Sequence, residues 1–346
     1  MNILKLLSLF FMPMLAFVQA DTECKYAPST QNQNLELDRR SNKNTFRLVQ
    51  YNVEWLFIDQ YNGCPGSSCS WSNQTEAQTH LNWVSNIINE LNPDYINFCE
   101  IEGCDELNML KDKTSSSYNP YLIKGTDSST GQNVGVLTKI DPTSDLARNE
   151  ERIEYPIPGS DCGYTGSSST TGVSKHYYTT YNISNYNIAV VGAHLLAFPT
   201  DPSRCVSREA QAQVLQDTIY TLYNKGYEII VLGDFNDYDG KVLDINSNKP
   251  TSQVLDIIKG YSGTKANTYK LNSASQKMSQ SERYSDWYDS NSNCKQDNSD
   301  LSMIDHILVT DELYDKITNV FAYHGYQEYC GTYNSDHWPV IVDFAI

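Results

Sequence analysis

Asparagine, glutamate, aspartate and histidine recur in this chain at one kind of place: the end of an apolar run, where the backbone leaves the core and can present side chains at a common rim. Asn52 follows FRLVQY, Glu100 follows DYINFC and His194 follows IAVVGA. Asp234 and Asn236 follow IIVLG, Asp305 sits within SMIDHILV, and Asp336 and His337 precede WPVIVDF. One such residue means little, because Asp and Asn close turns by bonding their own backbone. The same character at so many separate run ends is more than turn chemistry requires.

These residue types suit the cleavage of a phosphate ester. The phosphoryl and leaving oxygens gain negative charge, so the site needs a cation, and hard Mg²⁺ or Mn²⁺ prefers carboxylate and amide oxygens to thiolates. Glu100, with Asn52 or Asp336, would supply those oxygens. His337 or His194, paired with an acid, would move a proton or steady the phosphoryl group, and Asn236 would bond phosphate without adding charge. Ca²⁺ is admitted as a structural ion. Zinc is disfavoured, because nine cysteines fall without two CxxC pairs.

The elements that would carry these residues can be traced along the chain. Alternation and strand formers predict strands at 45–53, 95–100, 121–124, 134–140, 176–183, 188–194, 228–232, 303–310 and 338–344. Apolar residues at helical spacing predict helices over 76–91, stopped by Pro93, from 105 to 110, over 207–223 with Ser207 as N-cap, and near 253–259. Hairpins mixed with strand–helix crossovers argue for a layered α/β or α+β sandwich rather than a purely parallel sheet.

The opening MNILKLLSLFFMPMLAFVQA has the charge, apolar run and small-residue end of a signal peptide over 1–20, leaving 21–346 as one elaborated domain. A secreted chain with nine cysteines predicts disulfides and an odd thiol. Cys99, inside an apolar run, is the candidate for that thiol, and Cys64 with Cys69 would close a local bridge; the other partners stay open. Asn73-Gln74-Thr75 and Asn182-Ile183-Ser184 are glycosylation sequons. The net charge of −17 and pI of 4.7 oppose binding of polyanions through basic patches, but not a cleft where metal and hydrogen bonds hold phosphate.

At its candidate residues the chain resembles the endonuclease/exonuclease/phosphatase superfamily, which includes deoxyribonuclease I, abasic-site endonucleases, secreted bacterial nucleases and neutral sphingomyelinases. The matching segments are YNVEWLF (51–57), NFCEIEG (97–103), GAHLLA (192–197), VLGDFND (231–237), MIDHILV (303–309) and SDHWPV (335–340). The resemblance implies a deoxyribonuclease I-like four-layer sandwich of two mainly antiparallel β-sheets flanked by helices. It implies Glu100 as the main metal ligand, with Asn52 and Asp336 completing the metal environment. Asp234 and Asn236 would position the attacking water and phosphate. His337, oriented by Asp305, would act as general base or phosphate stabiliser, ranked ahead of Asp234 for the water's proton, and His194 would face the leaving group. Arg208 is a candidate phosphate contact; Glu54 and Glu102 fall near the metal by alternation, and His306 is structural. The expectation is a secreted, monomeric phosphodiesterase acting on nucleic acid without membrane insertion. Its rivals are a sphingomyelinase-like lipid or small-phosphodiester hydrolase, and an inactive binding module on the same fold.

Overall fold

Apolar residues occupy adjacent positions in the central strands, so both faces of each sheet need cover. The computed structural model describes residues 23–28, 37–58, 69–326 and 334–346; the expected signal peptide and Cys64 lie outside them. The first half of the chain forms β1 (Thr45–Leu56), α1 (Gln74–Leu91), β2 (Tyr95–Ile101), α2 (Cys104–Lys113), β3 (Asn119–Leu122) and β4 (Asn133–Thr138). Next come β5 (Ile153–Tyr155), β6 (Ser169–Thr171), β7 (Lys175–Ile183), β8 (Tyr186–His194), α3 (Pro202–Tyr223) and β9 (Glu228–Asp234). The chain closes with α4 (Val254–Ile258), β10 (Asn272–Ser273), β11 (Asp286–Trp287), β12 (Leu301–Ser302), β13 (Asp305–Val309), α5 (Asp311–Asp315), β14 (Ile317–Ala322) and β15 (Val340–Ala345).

Among the described residues two large sheets form, one in the order β14-β15-β1-β2-β4-β3 and the other β10-β13-β9-β8-β7, beside the two-stranded pairs β5-β6 and β11-β12. Only the β1–β2 and β8–β9 pairs within them are parallel, as each pair is linked through a helix or a long connection. Leu48, Val136, Val190, Leu232 and Val342 meet between the sheets. Their strand neighbours point outward: Val49, Ile96 and Ile341 pack on Leu81, Val84 and Ile88 of α1 and Leu107 of α2. Val191, Ile229 and Val231 pack on Val214, Leu215 and Ile219 of α3 and Leu255 of α4. The layers are therefore helix, sheet, sheet, helix, the expected sandwich.

Three sequence expectations need correction. Helix α3 starts at Pro202, and Asp201 rather than Ser207 caps it, accepting from Ser203 N and Arg204 N. Pro202 fits the first helical position and Asp201 supplies a stronger acceptor, while the Ser207 hydroxyl donates back to Ser203 O inside the helix. Strand β14 was not anticipated; its short ITNVFA run is set by antiparallel pairing with β15. The expected last strand begins at Val340 rather than Trp338. Cys24 pairs with Cys104, and Cys162 with Cys205. Cys69 and Cys294 are disulfide-bonded as well. Cys99 is free and buried, as expected.

Candidate active site

Strand register brings the candidate residues together. His194 at the end of β8 lies opposite Asp234 of β9, and Asp305 of β13 lies opposite Asp234 from the other side. In the first sheet Asn52 sits opposite Cys99, one residue before Glu100. Both strands are then broken: the register shifts between Asn52 and Leu56 and between Cys99 and Ile101. Glu54, Trp55 and Glu100 have φ of 50°, 51° and 68°, and Asn236 has 50°. Such left-handed conformations in non-glycine residues are costly and gather where side chains are re-aimed toward function. Because the bulge interrupts the alternation, Glu102 does not follow Glu100 by strand geometry. Gly233 has φ 154°, and a Cβ there would lie 1.8 Å from Ala193 O, so only glycine lets β8 and β9 close up beside the site.

The side chains form one hydrogen-bonded cluster. Asn52 Nδ2 donates to Asp234 Oδ2 at 3.0 Å and to Glu100 Oε1 at 3.4 Å, and it lies 3.4 Å from His337 Nε2. His337 Nδ1 donates to Asp305 Oδ2 at 2.7 Å. Ser285 Oγ and Gln50 Nε2 donate to the Asp305 oxygens at 2.9 and 3.0 Å, fixing the carboxylate and through it the ring. Trp55 N donates to Glu100 Oε2, and Asp336 N to Glu54 Oε2. His194 Nε2 stands 3.5 Å from Asp234 Oδ2 and 4.0 Å from Glu100 Oε1. Asn236 N donates to Asp234 Oδ1, and its side-chain amide donates to Leu195 O. Cys99, in the place before Glu100, points into the core and accepts from Gln50 Nε2 at 3.5 Å.

The electrostatics follow from crowded acids in little water. Burial, with the Asp305 charge beside it, pushes Asp234 up to about 7. Burial and the charge of Glu100 push Glu54 up to about 7 as well. Burial alone would lower His337, but Asp305, Asp336 and Asp286 hold it well above the usual imidazole value. His194 goes the other way: burial and the positive charges of Lys175 and His337 keep it neutral.

Glu100, His194, Asp234, Asn236, Asp336 and His337 line a cleft of about 410 Å³. Glu100, Asp234, Asp286, Asp300 and Asp336 face it, and among the described residues no Lys or Arg does. An acidic lining of this kind suits a divalent cation, which Glu100, Asp336 and the Asn52 amide could hold. Asp234, Asp305 and His337 also bring ligand atoms within 4.8 Å of one another. The bonds from Gln50, Ser285 and His337 already engage both Asp305 oxygens, so that trio reads as a hydrogen-bonded acid–imidazole unit.

Arg208 is placed elsewhere than the sequence suggested. It is 0% exposed, paired with Asp237 at 3.1 Å, and donates to the carbonyls of Leu196, Ala197, Phe198 and Pro199. A guanidinium with its donors consumed by backbone contacts no phosphate; it shapes the loop after His194. His306 is buried, bonds Asp237 O at 2.9 Å and stacks on Phe235, a structural residue as expected. The sequence reading missed Asp286, 3.5 Å from His337 Nε2, together with Ser285, Gln50 and the cleft wall 286–302. Gln50 lies within β1, while the segment from Ser285 onward is polar and pairs through the two-residue strands β11 and β12. An isolated bridge between Asp286 and His337 ties it to the site, and no periodic signal marks it.

No protein-family model and no curated protein sequence matches this chain. Solved structures do. Truncated TDP2 from Caenorhabditis elegans superposes with a TM-score of 0.51 at 14% identity, covering 90% of this chain and 100% of that one. The 3′ phosphatase NExo from Neisseria, bound to a product DNA hairpin, gives 0.54 at 14%, covering 86% and 99%. The endonuclease/exonuclease/phosphatase from Bacteroides vulgatus gives 0.51 at 14%, covering 86% and 98%. At such identities the similarity is one of fold.

Proposed function

We propose that this chain, which has the fold of the endonuclease/exonuclease/phosphatase proteins, is a divalent-metal-dependent phosphodiesterase that hydrolyses nucleic acid outside the cell. One observation carries the reading. Asn52, Glu100, His194, Asp234, Asp305 and His337 arrive from five strands and the segment before β15, yet meet within hydrogen-bonding or ion-pair distance in an acidic cleft. A fold alone never fixes a reaction; a complete set of a proton acceptor, a cation and oxygen ligands at one cleft supports one.

Bound at Glu100, Asp336 and Asn52, Mg²⁺ or Mn²⁺ would supply positive charge for the phosphoryl oxygens. The chain's own groups do the rest. The sequence ranks His337 ahead of Asp234 as base, but the charge states favour the reverse. Asp234, pushed up to about 7, is suited to take the proton from an attacking water, with its Oδ1 anchored by Asn236 N. His337, kept cationic by Asp305, would bond the non-bridging oxygens as they gain charge. His194, neutral and next to Asp234, would face the leaving oxygen with Asn236.

The nucleic-acid assignment is supported by NExo, described with a DNA hairpin, and by the secreted-nuclease variants NVEWLF and EIEG. Secretion is supported by the two described disulfides and the leader-like residues 1–20. No helix among the described residues is long and apolar enough to cross a membrane. We take 21–346 as one catalytic domain, active as a monomer. The deciding experiment incubates purified protein, with and without Mg²⁺, with duplex DNA, RNA, sphingomyelin and a generic phosphodiester, beside His337→Ala. Metal-dependent cleavage of nucleic acid that the substitution abolishes is expected. Hydrolysis of lipid alone would transfer the assignment to a phospholipase, and inert folded protein would leave only a binding module.

A further inference from the structure

Among the described residues five large hydrophobic side chains are exposed, and two of them sit on the same cleft. Phe198 is 56% exposed and Tyr288 66% exposed, and both line the cavity that holds Asp234 and His337. They come from different segments, Phe198 four residues after His194 and Tyr288 two residues after Asp286.

The presentation of Phe198 is built. Its φ is 69°, a conformation a bulky residue adopts only when its surroundings over-determine it. The buried Arg208 provides that constraint, donating to the carbonyls of residues 196 to 199 while Asp237 fixes its charge. The Arg204 guanidinium stands over one side of the Phe198 ring at 5.6 Å. A buried arginine is thus committed to holding a phenylalanine out in the cleft.

We propose that Phe198 and Tyr288 are stacking platforms for the nucleobases next to the scissile phosphate, and that Arg208 is the positioning residue for Phe198. This rests on the nuclease reading given above. Stacking is suited to this protein, since every base has a π-face and stacking needs no positive charge. Among the described residues no Lys or Arg lines the cleft itself, Arg204 being engaged with the Phe198 ring, and the molecule carries −17 overall. An acyl chain would need a continuous apolar surface, whereas Thr200, Asn248, Ser290 and Ser299 line the same walls.

The test compares a single-stranded oligonucleotide with the same strand carrying tetrahydrofuran abasic residues on both sides of the scissile phosphate. Phe198→Ala and Tyr288→Ala are each expected to lower kcat/KM on the base-bearing strand about tenfold, at the low end of base–aromatic stacking, mostly through KM. Neither should change cleavage of the abasic strand, and Phe198→Trp and Tyr288→Phe should restore the parent rate. Arg208→Lys should reproduce the Phe198→Ala selectivity. Equal rates for variants and parent on both strands, or an equal loss on both, would overturn the proposal. A parent protein that hydrolyses a generic phosphodiester but neither strand would refute the nuclease reading instead, because then the parent and not the variant fails.

Discussion

Asp234 and His337 face each other at 3.9 Å and divide between them the proton and the charge of the proposed reaction. Asp234→Asn removes the proton acceptor while keeping shape and the bond from Asn52, so kcat should fall by roughly 10³-fold, within the range of general base catalysis. His337→Ala should cost ~10²–10⁴-fold. Circular dichroism and metal titration should show both variants folded and loaded. Since Asp234 must be ionised to act, kcat should decline as pH drops below its raised value, and stopped assays across that range with Mg²⁺ saturating would check the sign. Loss of rate toward alkaline pH alone would show that His337 titration governs instead. Most of these residues were legible in the sequence, because a polar residue at the end of an apolar run is a local signal. Asp286, Ser285 and Gln50 were not. Gln50 lies inside an apolar strand, and the other two reach His337 and Asp305 through a polar segment whose path only the fold determines.

Elements were legible where both faces of a strand or one face of a helix are apolar, and less so where polar caps decide the ends. Helix α3 illustrates the limit: its reading began at Ser207, but the Asp201 cap and Pro202 set it. Asp201→Ala should therefore lower the melting midpoint by roughly 2 °C, as expected for a lost N-cap in a chain of this size. Ser207→Ala should change it by less, because Ser207 only bonds back along the helix; equal effects in calorimetry would put the cap elsewhere. Strand β7 makes a second prediction through His176. Its Nδ1 donates to Val173 O and its Nε2 accepts from Asn149 N, so the folded strand holds the neutral ring. Burial, helped by Arg148, pushes its pKa down to about 3 from 6.5. Between those values the unfolded chain binds a proton that the folded one refuses, so this contribution to stability is lost as pH falls below about 6.5, at ~1.4 kcal/mol per pH unit. Urea unfolding of the parent and His176→Gln should show the parent losing stability relative to the variant on acidification; parallel pH curves would refute the assignment.

Across the whole molecule, 42 acidic residues against 25 basic ones set a negative field around a cleft that is itself lined by carboxylates. The polyanionic substrate proposed above would be repelled until it reached contact range, where a bound cation and stacking would take over. That order of forces would distinguish this protein from a nuclease that gathers its substrate on basic patches, for which added salt weakens binding by making counterion release less favourable. Here added salt should help approach. Between ~10 mM and ~100 mM monovalent salt the screening length shrinks from ~30 Å to ~10 Å, which removes distant repulsion but leaves contacts in the cleft largely intact. At fixed saturating Mg²⁺, kcat/KM on an oligonucleotide should therefore rise severalfold over that interval, while kcat stays level. The same measurement on a neutral-leaving-group phosphodiester of single charge should show a much smaller rise, because repulsion scales with substrate charge. A steady fall in kcat/KM with salt would mean that a local positive surface, rather than the net field, governs encounter.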